Sequence, residues 1–248
     1  MKFKRFERNT IGRDFVTGDL HGHFKLLDKL LAEIGFDKFT DRLFSVGDLI
    51  DRGPDSHLAV EWLREPWFHC VRGNHEQMAI DGCQSAYWAE THMLNGGLWF
   101  YRLEIDERKA MAAEFDKMPY AIEVDTEHGL VGIVHADMPL CDWAIYREAL
   151  QDEQIAALPG TGNIYEKLLE HTLWSRKRIG MGNVNEVENV HRVYVGHTNV
   201  SPPKILGNVC YIDTGCGSKK AGSRLTIVCL NDGVVINATN ISSRDELS

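Results

Sequence analysis

Gly18-Asp19-Leu20-His21-Gly22, Gly47-Asp48-Leu49-Ile50-Asp51-Arg52-Gly53 and Arg72-Gly73-Asn74-His75-Glu76 follow one another early in the chain, each behind a short apolar run. The runs Phe15-Val16-Thr17, Leu43-Phe44-Ser45-Val46 and Phe68-His69-Cys70-Val71 have the length and composition of strands. After His21, apolar residues at Phe24, Leu27, Leu30, Leu31 and Ile34 keep the spacing of one buried helix face, and Gly35 is a natural stop. A second helix is expected from Ser56 or His57 through Leu63. Pro54 suits its entry, and Pro66 cannot continue it. Repeated βα units with short connections predict a mostly parallel sheet with right-handed crossovers. Carboxylates, imidazoles and an amide then stand where strands end and loops begin, the place where open α/β sheets bind ligands.

Outward from this stretch the pattern changes. Residues 77–118 read as a helical insert, with a break at Asp81-Gly82 and a turn at Asn95-Gly96-Gly97. Its aromatic residues either pack a core or cover one side of the cleft. Residues 120–126 and 130–134 predict a hairpin through His128-Gly129. Helices are expected at 142–157 and 164–173, with a loop at 159–162 and another at 180–185. Strands are expected at 192–195, 209–212, 224–230 and 233–238, the last two joined by Asn231-Asp232-Gly233. The polar tail 242–248 should fray. Parallel units early and hairpins late predict an α/β fold with two sheets in one domain spanning 1–248.

Composition bounds the function. The apolar fraction of 44% is that of a soluble globular chain. A formal net charge of −9 lacks the basic footprint of a general nucleic-acid binder. It still permits a phosphorylated substrate, because a few arginines in one cleft set the local potential. Six cysteines show no C-x-x-C pair, which points to a reducing compartment and to small buried side chains. The basic start at Met1–Phe6 is followed by Glu7, Arg8, Asn9 and Arg13 rather than an apolar core, so no secretory leader is expected. No run reaches the length of a membrane span, and a cytoplasmic location is the expectation.

The donors suit hard to borderline divalent cations, since they are oxygen and nitrogen without thiolate. Asp19 and His21 leave one strand together, Asp48 follows the next and can bridge two ions, and Asn74 follows the third. His135 and His197 each end a later apolar run. This set suffices for two metals about 3.5–4 Å apart, as in two-metal phosphoryl-transfer sites. His75, beside a ligand, is cast as general acid, with Asp51 as its orienting carboxylate. Arg52, Arg72 and Arg176 are the guanidinium candidates for phosphoryl oxygens. Bland readings stand beside these: the glycines can serve tight turns alone, and Glu76 is read as structural. His23, His57, His69, His92, His128, His171 and His191 are read as background.

With those motifs in place, the chain resembles the phosphoprotein phosphatase family of serine/threonine phosphatases, within the calcineurin-like metallophosphoesterases. Its short length and Arg72 are most similar to the bacterial and bacteriophage branch typified by the phage lambda phosphatase. The resemblance implies a four-layer α/β/β/α sandwich of two mixed β-sheets flanked by helices, with a dinuclear site at the sheet edge. It implies Asp19, His21 and Asp48 on the first metal, and Asp48, Asn74, His135 and His197 on the second. His75 then matches the acid, Asp51 its partner, and Arg52, Arg72 and Arg176 the phosphate-binding arginines. It further implies two divalent ions, manganese above all with iron or zinc as alternatives, and direct attack of metal-activated water without a phosphoenzyme.

The implied substrate is a phosphorylated protein or peptide, carrying phosphoserine or phosphothreonine and also phosphotyrosine or phosphohistidine. No nucleic-acid or membrane partner is expected, and a monomer is slightly favoured. Two other functions compete. One is a symmetrical diadenosine tetraphosphate hydrolase, which the Asp-Arg-Gly at 51–53 and Asn-His-Glu at 74–76 disfavour. The other is an inactive binding protein on the same scaffold, which the intact ligand set disfavours.

Overall fold

The computed structural model describes residues 2–152 and 162–237. It opens on β1 (Phe3–Phe6) and continues with β2 (Asp14–Thr17), α1 (Phe24–Glu33), β3 (Arg42–Ser45), α2 (Ala59–Leu63, entered through a 3-10 turn) and β4 (Phe68–Cys70). The expected apolar stripe decides α1: Phe24, Leu27, Leu30 and Leu31 are its buried residues. Burying such a side chain is worth about 1.5–3 kcal/mol, enough to fix the face that a short helix presents. β2, β3 and β4 lie side by side and parallel, with Thr17 opposite Ser45 and Ser45 opposite Cys70. The three motifs therefore leave the same edge of one sheet.

Next comes the helical insert: α3 (Asn74–Gly82), α4 (Ala86–Leu94), a 3-10 segment (Gly97–Arg102) and α5 (Ile105–Asp116). The break at Gly82 and the turn at 95–97 fall as expected. β5 (Ala121–Thr126) and β6 (Gly129–Val134) form the predicted hairpin, with Thr126 opposite Gly129. Then follow α6 (Trp143–Gln151), α7 (Gly162–Trp174), α8 (Lys177–Met181), β7 (Arg192–Val195), β8 (Lys204–Leu206), β9 (Val209–Tyr211), β10 (Thr226–Cys229) and β11 (Val235–Asn237). The helix expected over 142–157 stops sooner, at Gln151, because Asp152 leaves the helical conformation for an extended one; residues 153–161, with most of the expected loop from 159, and the tail 242–248 lie outside the described residues.

One sheet has the strand order β11-β10-β2-β3-β4 and the other β1-β5-β6-β7-β9-β8. Both mix parallel and antiparallel pairs. Val16, Phe44, Val71 and Val228 of the first sheet meet Ile122, Ile133, Tyr194 and Ile212 of the second in a buried layer between them. The outer face of the first sheet packs on α1, α2 and α5 through Leu27, Trp62 and Phe115. The outer face of the second packs on α6 and α7 through Trp143, Tyr146 and Leu173. Three apolar layers thus separate four structural ones, and the fold is the α/β/β/α sandwich.

Two strands were invisible to periodicity. β1 pairs parallel to β5, Phe3 opposite Ala121, behind exposed Lys4 and Arg5 that read as a polar start. β8 has three residues, two of them exposed, and is held by pairing to β9. Among the described residues, no helix is long and apolar enough to cross a membrane.

Candidate metal centre

Five of the six non-glycine residues with positive φ among those described are His21 (43°), Asp48 (52°), Asp51 (75°), Arg52 (67°) and His197 (62°). The left-handed region is costly for a residue with a Cβ, and a concentration of it at strand ends marks a functional site. The backbone turns at these points to aim the side chains inward.

Asp48 is the hub. Its Oδ2 lies 3.6 Å from His21 Nε2, and its Oδ1 lies 3.4 Å from His135 Nε2. Two groups of potential ligands share it: His21, Asp48 and His75 on one side, and Asp48, His135 and His197 on the other. Asn74, first residue of α3, turns its Oδ1 to within 2.8 Å of both His135 Nε2 and His197 Nδ1. Asp19 lies against the loop that carries His197, its carboxylate accepting the His197 backbone N–H at 3.1–3.2 Å. The six expected ligands thus come from strand ends of both sheets: Asp19, His21, Asp48 and Asn74 follow β2, β3 and β4, and His135 and His197 follow β6 and β7.

The cluster fits divalent cations. His21 Nδ1 donates to the Ile50 carbonyl and His135 Nδ1 to that of Val46, which fixes both tautomers with Nε2 bare. Burial holds His21 and His197 down at about 3, with His75 and His135 respectively adding to it, and burial also lowers His135. These imidazoles are neutral, as ligation requires. A bare ring nitrogen against the Asn74 carbonyl oxygen sets lone pair against lone pair, a contact that a cation relieves. Asp19 is pushed well above the usual carboxylate range by burial and by Asp213 and Asp48, and Asp213 rises to about 6, chiefly through burial. Three buried carboxylates so close together call for positive charge.

His75 stands beside the hub, its Nε2 3.8 Å from Asp48 Oδ2 and its Nδ1 2.5 Å from Asp51 Oδ2. Burial opposes its protonation, but the charges of Asp48 and Asp51 and the hydrogen bond from Nδ1 to Asp51 prevail and raise its pKa. Asp51 is the mirror case: burial opposes ionisation, yet hydrogen bonds from His75 and His92 bring it to about 2. Arg52 spans the mouth, Nη1 2.7 Å from His21 Nε2 and Nη2 2.9 Å from His75 Nε2. Arg176 reaches the other side, where its Nη2 donates to the His197 carbonyl.

Arg72 is the exception. Its side chain is buried and its Nη atoms donate to Gln77, Tyr120 and Asp116. The chain turns at Gly73, and Arg72 ends up beneath the insert with both Nη groups engaged and its Nε buried without a partner among the described residues. The phosphate-binding place read for it is therefore corrected to a structural one, tying α3 to α5.

Other residues support the site, Glu76 in the structural role read for it and the rest unannounced. Glu76, fully buried, accepts backbone N–H groups of Asp48, Leu49, Ile50 and Gly73, clamping the second motif to the third. Gly73 has to be glycine, since a Cβ there would stand 2.2 Å from Asp48 Oδ1. Asp213 accepts from Asn199 Nδ2 at 2.6 Å and from Gly215 N at 2.9 Å. It follows a strand and precedes Thr214-Gly215, so the rule that found the first three motifs would also have found it. Asp137, two residues past His135, accepts from Ser175 Oγ and Arg178 N on either side of Arg176. His92 and Trp99 bond to Asp51 from the insert.

An α/β/β/α sandwich with one carboxylate shared between two ligand groups at its strand ends defines a metal-dependent phosphoesterase with a dinuclear site. The chain belongs to the calcineurin-like phosphoesterase family, whose model matches residues 15–203. It is 36% identical over 219 residues to serine/threonine-protein phosphatase 1 of Salmonella typhimurium (strain LT2), covering 86% of this chain and 91% of that protein. A symmetrical bis(5'-nucleosyl)-tetraphosphatase of Hamiltonella defensa is 42% identical over 65 residues, 25% of this chain and 24% of that protein. Among solved structures, a serine/threonine phosphatase from Saccharomyces cerevisiae superposes with a TM-score of 0.62 at 16% identity, covering 98% of this chain and 85% of that one. This last likeness concerns the fold alone.

Proposed function

We propose that the chain is a protein phosphatase that hydrolyses phosphoserine and phosphothreonine monoesters, with phosphotyrosine and phosphohistidine as further substrates. The observation that carries the reading is the His75–Asp51 pair beside the shared carboxylate of Asp48: an acid poised next to a paired-cation site. Asp19, His21 and Asp48 would hold one ion, and Asp48, Asn74, His135 and His197 the other. Manganese is our choice for both, with iron or zinc as the alternatives, as the resemblance to the phosphoprotein phosphatases implies; carboxylate, amide and imidazole donors without thiolate accept each of the three. Bound there, two divalent cations would supply a water of lowered pKa and a positive surface for phosphoryl oxygens.

The chain's own groups do the rest. Arg52 and Arg176, on opposite sides of the cluster, hold equatorial phosphoryl oxygens through charge-assisted hydrogen bonds. With the Arg52 N–H groups turned from His75 Nε2 onto the phosphoryl oxygens, His75 delivers a proton from Nε2 to the leaving serine or threonine oxygen, while Asp51 keeps its Nδ1 proton and ring plane in place. Similarity along most of the chain to a serine/threonine-protein phosphatase supports a protein substrate. The second reading is a symmetrical dinucleoside tetraphosphatase, favoured by the higher local identity to such an enzyme over 65 residues.

Turnover of a phosphoserine peptide and of diadenosine tetraphosphate, by protein loaded with manganese and checked by elemental analysis, separates the two. Faster cleavage of the peptide is expected. Cleavage of the dinucleotide alone would replace the first reading with the second.

A further inference from the structure

The helical insert does more than cover the motifs: it sends two side chains onto the carboxylate of Asp51. His92, near the end of α4 and fully buried, places Nε2 2.8 Å from Asp51 Oδ2, the same oxygen that accepts from His75 Nδ1. Trp99, in the 3-10 segment, donates its indole N–H to Oδ1 at 2.7 Å. Both carboxylate oxygens are thereby held. On the far side of the ring, His92 Nδ1 lies 3.1 Å from the Tyr101 hydroxyl. The Asp51 carboxylate can only accept, so the His92 proton stands on Nε2 and Nδ1 is left to accept from the Tyr101 hydroxyl, whose pKa burial first, then Cys83 and Asp51, raise to about 12. The order of donors is then set: Tyr101 O–H to His92 Nδ1, and His92 Nε2–H to Asp51. The turn beneath is shaped to the ring, since a Cβ on Gly97 would stand 2.3 Å from His92 Nε2.

We infer that His92 and Trp99 are positioning residues for proton delivery, and that the insert, through them, fixes the Asp51 carboxylate that orients His75. The inference rests on the reading of His75 as general acid. A carboxylate held by one histidine alone can rotate about its Cβ–Cγ bond and take the His75 ring with it. Three donors on two oxygens remove that freedom. Neither His92 nor Trp99 is one of the proposed cation ligands, and both act through Asp51 on His75, so their effect should show only where a proton must be delivered.

Leaving-group dependence tests this. The parent and the variants His92→Phe, His92→Gln, Trp99→Phe and His75→Asn are compared on a phosphoserine peptide and on 4-nitrophenyl phosphate, whose leaving group departs without a proton. Metal content is measured for each. Loss of one hydrogen bond to a charged group predicts a fall of roughly 10- to 100-fold in kcat on the peptide for His92→Phe. Trp99→Phe should fall in the same direction. KM and metal content should hold, and the fall on the aryl ester should stay under about threefold, the residue of any uniform effect. His92→Gln, whose amide can present an N–H near the place of Nε2, should recover most of the loss. Equal falls on both substrates, or no fall on the peptide, would overturn the inference. If His75→Asn itself lowers both substrates equally, the acid reading is wrong and the inference goes with it. Should His92→Phe not fold, Trp99→Phe, at a half-buried position, decides alone.

Discussion

Replacing Glu76 by glutamine alters one atom and should loosen the whole edge of the first sheet. The carboxylate is fully buried and accepts four backbone N–H groups: Asp48 and Gly73 on Oε2 at 3.0 and 2.9 Å, Leu49 and Ile50 on Oε1 at 2.8 and 3.4 Å. Burial first, and then the Asp48 charge, raise its pKa to about 7, against the pull of the Gly73 and Leu49 N–H groups and of His75 toward the anion. Yet with both oxygens occupied as acceptors, no place remains for a carboxyl proton. In glutamine, one oxygen becomes an NH2, and either flip points that donor at two backbone donors. Hydrogen bonds to a charged acceptor contribute about 1.5–3 kcal/mol each, so losing two costs about 3–6 kcal/mol. That is a large share of the stability of an ordinary domain. Urea unfolding of the chelator-treated protein reads the loss without metal linkage, and titration with manganese then reads affinity. Because Asp48 hangs from this clamp, affinity should fall together with stability. A Glu76→Gln variant within about 1 kcal/mol of the parent would show that the clamp contributes little and that the loop is held by its own turns.

Two further outcomes are expected. Arg72→Met should lower stability by about 3 kcal/mol, from lost charged hydrogen bonds to Gln77, Tyr120 and Asp116, while KM for a phosphopeptide stays within about twofold; a steep rise in KM at unchanged stability would restore Arg72 to the substrate. His69, packed against Phe6 and Phe44 with Lys4 and Arg42 nearby, is held at about 3 by burial and then by those two cations. Its folded value lies below the unfolded one near 6.5, so below that pH the unfolded chain takes up a proton that the native chain refuses, and stability falls with pH until about 3. At pH 5 the deficit is about 2 kcal/mol; His69→Phe should remove it, and stability curves of parent and variant that stay parallel from pH 7 to 5 would refute this.

How much of this was legible depends on whether a residue's place is set locally. Asp19, His21, Asp48 and Asn74 follow strands whose burial is written in their own apolar runs, and three parallel neighbours deliver them to one edge. Periodicity of 2 and 3.6 suffices for that. Arg72 sits one residue from Gly73, but the partners that fix its direction, Tyr120 and Asp116, lie more than forty residues away. Nothing local distinguishes a guanidinium facing the cleft from one facing the insert. His92 is forty-one residues from Asp51, on a helix apolar on more than one side, and no spacing relates the two. β1 escaped for a similar reason, since its partner strand supplies the reason to be extended.

The deepest mismatch lies in the backbone. Composition assigns left-handed turns to glycine, and Gly22 and Gly47 do take them, at φ of 69° and 103°. The structure also places His21, Asp48, Asp51, Arg52 and His197 there, each at a cost of about 1–3 kcal/mol that propensity argues against. Such a cost persists only where surrounding contacts over-determine the conformation. Those contacts are visible: Glu76 grips the Asp48 amide, Ser56 Oγ accepts from that of Asp51, and Asp19 accepts from that of His197. Each strained residue thus has its N–H or its side chain fixed by a partner from another motif. The strain and the ligand set are one feature, because a carboxylate or imidazole that leaves a strand in the extended conformation would pass the cluster by, and only the turned backbone aims it inward.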